Sequence, residues 1–383
     1  MRAIAITHKG IEDITALEVK EIIKVNPNIK ETVVLFEPKK IGDLCTLAYK
    51  AQSLIKVMYL FDNFKVKKDE KSILEEVKKS IDKIDFSEWL DKERTFRVSC
   101  QHIGNEDISS QEIEKETGAI VTKHIQKKNK YEQKVDLDNP DVIFYVYICD
   151  DECYFGIDFC GFNLSKRDYK VFSSASDIKG TIAYSLLRIA GYKKEKKLID
   201  PFCSSGVIPI EAALYNKCSV NYYRKDDFAF LKLKPFEKKD FHSFFSKLIK
   251  KENKSKSLIF ASDQQLCHIR SAKKNAKIAA VNKNIEFSKV DTEWLDTRFD
   301  KNQIDLIVAR PMFSKYDLKK TKKTYNEFFY AAKYILSEKG KIVLISMATE
   351  LLKEIAGKHD FKISDERFVW QGQQKLEIIV FNK

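Results

Sequence analysis

The sequence predicts an α/β protein: a mostly parallel sheet covered on both faces in the second half, with smaller α+β units before it. Two observations carry this. From residue 178 onward, short apolar strand-like runs alternate with runs of helical period, the pattern of crossovers that return to a parallel sheet. The last stretch, FVWQGQQKLEIIVFNK, reads instead as an antiparallel hairpin on such a sheet. At 383 residues and 44 % hydrophobic, the chain has material for real cores in two or three domains.

Taken in order, RAIAITH alternates as a strand, and IEDITALEVKEIIK places Ile14, Leu17, Ile22 and Ile23 at helical spacing. ETVVLFEP returns as a strand, KIGDLCTLAYKAQ as a helix and LIKVMYLFDNF as a long strand, giving a first α+β unit over residues 1–65. The second unit, 66–162, opens on the amphipathic SILEEVKKSIDKI. The strand RTFRVSCQH follows, then a helix from residue 108 whose Ser109 and Ser110 offer N-caps. KVDLDNPDVIFYVYICDDECYFGIDF then gives strands around an acidic turn. The third unit, 163–383, runs through the helix IKGTIAYSLLRIAGY, the strand and tight turn KKLIDPFCSSG, and the helix VIPIEAALY. Residues 219–255 form a basic, aromatic insertion. SLIFASD, IEFSKVD, DLIVARP and GKIVLIS are the remaining strands, with CHIRSAKKNAKIAAV a helix between the first two.

The net charge is +13 and the pI near 9.1, a balance that favours polyanionic partners. Lysine outnumbers arginine, however, and a lysine-rich solvated surface gives the same balance without any such partner. No apolar run reaches the roughly 18–20 residues of a membrane span, and MRAIAITHKGIED lacks the apolar core of a secretory leader. The eight cysteines (Cys45, Cys100, Cys149, Cys153, Cys160, Cys203, Cys218, Cys267) lack CxxC spacing, so CDDEC reads as a hairpin with core thiols. Free thiols and no metal in a reducing cytoplasm are the expectation.

Three strand ends carry acids. LIDPFCSSGVIPIEAA sets Asp200 and two small hydroxyls beside Gly206, where a ligand can approach backbone closely, although an ordinary βα turn reads the same way. IFASD ends in Asp263, where folds of this kind hold a ribose diol, or where a helix begins. KVD ends in Asp291, a possible acceptor for an adenine amino group. A fourth strand end differs: DLIVARPMFSK presents Arg310, Pro311, Met312 and Phe313.

These residues carry a resemblance to the S-adenosylmethionine-dependent RNA methyltransferases in which a THUMP module precedes the catalytic domain. IDPFCSSGVIPIEAAL is similar to the family's DP-x-CGSG-T-x-x-IEAA segment, and LSKRDYKVFSSASDIKGTIAYSLLRIAGY to the KR-x-Y-R segment and helix before it. NYYRKDDFAFLKL resembles the insertion after the cofactor loop. FRVSCQHIGNEDISSQEIEKETG and VDLDNPDVIFYVYICDDECYFGIDFCG resemble the THUMP module, and ITHKGIEDITALEVKEI its ferredoxin-like lead-in. The implied fold is a Rossmann-like methyltransferase domain behind a ferredoxin-like/THUMP module. The implied reaction is methylation of guanosine N2 in tRNA or large-subunit rRNA. By resemblance, Asp200, Ser204 and Gly206 line the methionine part of the cofactor, Cys203 is a further cofactor-binding residue, Asp263 binds ribose and Asp291 adenine. Lys166 and Arg167 stand at the join of the RNA-binding and catalytic parts. The THUMP part implies contact with the tRNA acceptor end, for which Lys123, Lys127, Lys128, Lys166 and Arg167 are phosphate-contact candidates.

Two positions depart from the family pattern. The family's catalytic stretch is Asn/Asp-Pro-Pro-Tyr/Phe, whose acceptors orient a delocalised exocyclic amine while the ring stacks on the base. Here Arg310 brings donors and no acceptor, and its charge opposes a sulfonium. Met312 replaces the second Pro, Phe313 keeps the ring, and Ser204 stands where the family has Gly. The sequence therefore leaves open a working tRNA guanosine-N2 methyltransferase and a catalytically impaired relative that binds tRNA. It also leaves Arg310 open to pairing with Asp200 or Asp263, or to contacting a substrate phosphate. A DNA adenine methylase fits the loop but not the THUMP-like half.

Overall fold

The computed structural model describes residues 1–104, 108–217, 220–248 and 258–383. Cys218 and parts of the expected insertion lie outside these. The chain divides into two compact units. One comprises Met1–Thr7, Thr15–Leu164 and Asn221–Leu248; the other comprises His8–Ile14, Ser165–Val220 and Ile249–Lys383.

The first unit is built on an eight-stranded sheet. Its strands are β1 (Arg2–Ile6), β2 (Asn28–Lys30), β3 (Val33–Phe36), β4 (Lys56–Lys65), β5 (Thr95–Ile103), β6 (Lys134–Val135), β7 (Val142–Cys149) and β8 (Glu152–Asp158), in the order β2-β3-β1-β4-β8-β7-β5-β6. The segments read from sequence as separate domains meet at β4, which pairs antiparallel with both β1 and β8. Helices α1 (Glu12–Ile23), α2 (Gly42–Lys50), α3 (Glu70–Ile81) and α4 (Ser110–Asn129) accompany it. Ser109 caps α4 by accepting the Glu112 N–H, as its sequence proposes. The described part of the insertion departs from expectation. It belongs with this unit, because Phe228, Phe230, Phe236 and Phe245 are buried in the same core as Tyr49 and Phe159. Aromatic burial of that extent outweighs adjacency in sequence.

The second unit holds β9 (Leu198–Asp200), β10 (Ile259–Asp263), β11 (Glu286–Lys289), β12 (Ile304–Ala309), β13 (Leu336–Ser346), β14 (Lys362–Gln371) and β15 (Gln374–Asn382). The order is β11-β10-β9-β12-β13-β15-β14, parallel from β11 to β13, with β15 antiparallel to both neighbours. In chain order the first three strands step one way and the fourth returns beside the first. The order therefore reverses between β9 and β12, where open α/β sheets bind ligands. The helices are α5 (Gly180–Ile189), α6 (Val207–Lys217), α8 (Leu266–Ile278), the short α9 (Leu295–Arg298), α10 (Leu318–Ile335) and α11 (Glu350–Lys358), while α7 (Phe241–Leu248) lies in the insertion. The sequence reading assigned neither α10 nor α11. α10 starts as LKKTKK, but Thr321, Tyr325, Phe328, Ala332 and Ile335 recur every three or four residues and are all buried. Among the described residues, no helix is long and apolar enough to cross a membrane.

Candidate active site

A cavity of about 270 Å³ opens at the carboxyl ends of β9, β10 and β12. Ser204 and Asp263 line one side, and Arg310, Met312, Asp317 and Lys320 belong to the other.

The turn after β9 is fixed atom by atom. Pro201 stops the strand. The Phe202 N–H donates to the Asp200 carboxylate at 3.1 Å, and the Gly206 N–H to the Cys203 carbonyl at 2.7 Å. Ser204 takes a left-handed backbone at φ +49°, and Gly206 lies at φ +86°. The first value explains why glycine suits the Ser204 position and why serine still fits. It lies in the small left-handed well open to ordinary residues. The Ser204 hydroxyl also bonds that of Ser176 at 2.9 Å. Gly206 has no such freedom, since a Cβ there would meet the Ala272 Cβ at 2.9 Å.

Asp263 ties this turn to the next strand. One carboxylate oxygen accepts the Ser204 N–H at 3.0 Å; the other accepts the Gln265 N–H at 2.9 Å and faces His268 Nδ1 at 3.0 Å. It is thus both a starter of α8 and part of the cavity wall, with lone pairs to spare for a diol. Asp200 lies beneath the wall, 2 % exposed. Burial pushes its carboxyl well above the usual carboxylate range, opposed by the Phe202 N–H and reinforced by nearby Asp263. Cys203 is likewise buried, its thiol raised by burial. Asp200, Cys203 and Gly206 therefore shape the loop from behind, while Ser204 and Asp263 face the cavity.

Asp200, Cys203 and Gly206 are thus not in the wall expected to hold the cofactor, and two further expectations are not met by the geometry. Asp291 is exposed and belongs to a separate depression with Trp294 and Arg298; its neighbour Thr292 lines the cavity instead. Arg167 is no phosphate contact. Its side chain is 1 % exposed and forks onto Glu211 of α6, at 2.8 and 3.2 Å, with the Tyr169 hydroxyl donating to the same carboxylate at 2.7 Å. A buried pair of this kind holds because removing either member strands a charge, at about 3–5 kcal/mol. Lys123, Lys127 and Lys166 are exposed; Lys128 is exposed too and sits 3.8 Å from Asp85.

Arg310 pairs with neither Asp200 nor Asp263. Its guanidinium donates to the Asp177 carbonyl at 3.0 Å, and burial lowers its pKa while Asp177 opposes the change. Asp177 also accepts the Ser205 hydroxyl at 2.6 Å and the Ser174 N–H at 2.8 Å, so it links the β9 turn to the β12 loop. The Met312 carbonyl accepts the Tyr325 hydroxyl at 3.2 Å, while Pro311 is buried and Phe313 half-buried. Ser176, Asp177, His268 and Asp317 are site residues that the sequence reading missed. The signal available for His268 was its place five residues after Asp263, in the first turn of α8.

Residues 167–376 match the family model of the RMKL-like methyltransferase domain, and residues 71–158 that of the THUMP domain. The chain belongs to the RMKL-like methyltransferase family, behind a THUMP domain. It is 32 % identical over 299 residues to the tRNA (guanine(6)-N2)-methyltransferase of Methanocaldococcus jannaschii, covering 76 % of this chain and 77 % of that protein. The enzyme of the same name from Archaeoglobus fulgidus is 28 % identical over 311 residues, covering 80 % and 74 %. TrmN from Thermus thermophilus shares the fold, with a TM-score of 0.71 at 20 % identity over 100 % of this chain and 99 % of that one. The family's methyl donor is S-adenosyl-L-methionine. The small-residue turn after β9 and the carboxylate in the cavity wall fit such a molecule; Asp291 does not contribute to that wall.

Proposed function

We propose that this protein methylates the exocyclic N2 of a guanosine in tRNA, in the cytoplasm, with S-adenosyl-L-methionine as donor. The observation that carries the reading is the cavity at the strand reversal, which brings Asp263 and the β9 turn together with the β12 loop. The names of the two archaeal relatives supply the substrate class. S-adenosylmethionine supplies an electrophilic methyl group on a sulfonium. Asp263 holds the ribose hydroxyls with lone pairs left over from Ser204, Gln265 and His268. The Ser204 turn gives the methionine part a close approach to backbone.

On the substrate side, Phe313 is the ring that the family pattern would stack on the base, although it lies behind the cavity-lining Met312 and Ser314 rather than in the wall. Arg310 cannot accept the amine's hydrogens, whereas the Met312 carbonyl, which receives Tyr325, keeps a second lone pair. The carboxylate left on this side of the cavity is Asp317, one oxygen of which caps α10 through the Lys320 N–H at 2.9 Å. The THUMP-matched segment takes the acceptor end, with Lys123, Lys127 and Lys128 near the end of α4, and Lys166 beyond, as phosphate contacts. A role confined to RNA binding is suggested by Arg310 alone and is not favoured by the names of the relatives.

The test is transfer of labelled methyl groups by the full chain to unmodified tRNA, followed by digestion to nucleosides. Label in N2-methylguanosine is expected; label only in another nucleoside, or none, overturns the reading.

A further inference from the structure

The cavity has a mouth whose chemistry the proposed reaction does not yet use. Residues 315–323 read KYDLKKTKK: five lysines and a tyrosine with a single acid. That acid, Asp317, is engaged as the cap of α10. Within the first turns of the helix the residues part into two groups. Lys320, Thr321 and Thr324 line the cavity, whereas Lys319, Lys322 and Lys323 are exposed at spacings of three and four, on one face. Among the described residues only Lys323 of these three has an ion pair, with Glu327 at 3.4 Å. Like charges so placed repel, and nothing on the helix offsets that repulsion in full. Just before them Tyr316 is 90 % exposed, with the Lys315 ammonium 5.1 Å from its ring centre. An aromatic ring held almost wholly in water beside a row of exposed lysines that outnumbers its acidic neighbours Glu327 and Glu354, at the rim of a catalytic cavity, is the composition of a single-strand nucleic-acid platform.

We infer that residues 315–323 are the surface on which the catalytic unit holds unpaired RNA next to its target nucleotide. Tyr316 stacks on a flanking base, and Lys319, Lys322 and Lys323 take the phosphates. Charge complementarity selects the occupant: an apolar protein partner would bury the three ammonium groups without neutralising them. Met312, 48 % exposed and in the cavity wall, continues the platform inward towards the target base. This surface is additional to the lysines of α4 and rests on the reading that the substrate is RNA.

The experiment uses the full chain and unmodified tRNA. In the combined variant Lys319→Gln, Lys322→Gln, Lys323→Gln, the slope of log affinity against log salt should become shallower by about 2, the loss of three single-strand phosphate contacts. Tyr316→Ala should raise the KM for tRNA on the order of tenfold, and Tyr316→Phe should restore it, since stacking needs the ring and not the hydroxyl. S-adenosylmethionine affinity, read by calorimetry, should stay at the wild-type value in every variant, which also reports folding. Short-wavelength photocrosslinking should attach tRNA to a peptide containing Tyr316. A wild-type salt slope in the lysine variant, with a wild-type KM in Tyr316→Ala, overturns the surface even where methylation proceeds. Conversely, a chain that methylates no guanosine but shows the altered slope and the crosslink keeps the surface and discards the guanosine reading.

Discussion

The turn after β9 and the loop after β12 face each other across one cavity, and they are built on opposite principles. In the first, Cys203 N–H bonds the Ser262 carbonyl, Ser204 N–H bonds Asp263, the Ser205 hydroxyl bonds Asp177, and Asn275 holds the Ser205 carbonyl. Almost every polar group has a fixed partner, and Gly206 has no room for a side chain. In the second, Met312 is 48 % exposed and Tyr316 90 %, and Ser314 meets Thr321 only at 3.4 Å. The difference teaches that the first loop is determined by the protein alone, whereas the second leaves exposed groups for what binds to complete. Departures from the family pattern in the second loop therefore bear on the reaction rather than on the stability of the fold.

The largest effect should come from altering the open loop. Arg310→Asn with Met312→Pro supplies the missing acceptor and a stiffer turn, and a positioned hydrogen-bonding group at such a site is worth on the order of 100–1000-fold in kcat. Labelled methyl transfer to tRNA by wild type and variant side by side should show a gain of that order. If the single change Arg310→Ala instead abolishes a robust wild-type rate, Arg310 is itself a working residue. An intermediate effect is expected from Asp263→Ala in the fixed turn. Calorimetry should show S-adenosylmethionine binding weakened by about 1.5–3 kcal/mol, the scale of hydrogen bonds to a charged group. An unchanged dissociation constant would reduce Asp263 to a helix starter. The smallest effect sharpens the comparison within that turn. Ser204→Gly relieves a left-handed residue by about 1–2 kcal/mol but gives up the bond to Ser176, worth about 1 kcal/mol. Thermal unfolding should therefore move by no more than a few degrees. A large loss of stability would mean that the Ser176 contact organises the turn.

The strand ends were legible in the sequence because strand period, Pro201 and small residues punctuate the chain locally. Asp200, Asp263 and Arg310 accordingly sit at the ends of their strands. What was not legible depends on distant neighbours. Arg167 and Lys166 are adjacent and chemically alike, yet only the partner forty-odd residues away, Glu211, decides which one is buried. Alternation was the missed signal: Arg167 and Tyr169 are buried while Lys166 and Asp168 are exposed. Asp291 failed for the related reason that a strand-end acid can face either side of the loop that follows. α10 was masked by its lysines, although its apolar stripe from Thr321 to Ile335 is regular. The insertion could not be assigned to the first unit from sequence, because only the buried aromatic cluster shows where it packs.

The segment His8–Ile14 carries a consequence for how the molecule is made. It belongs with the catalytic unit, where Ile11 is wholly buried in the core with Val369 and Ile378, and the Trp370 N–H bonds the Lys9 carbonyl. Gly10, at φ +96°, passes so close to Phe368 that a Cβ would overlap its carbonyl oxygen. These residues stand about 360 positions before the neighbours they pack against. Loop closure over nearly the full chain precedes any reward from that contact, a recipe for slow, late consolidation. The catalytic unit therefore cannot consolidate from residues 165 onward alone. A fragment beginning at Ser165 would lack a buried piece of its own core.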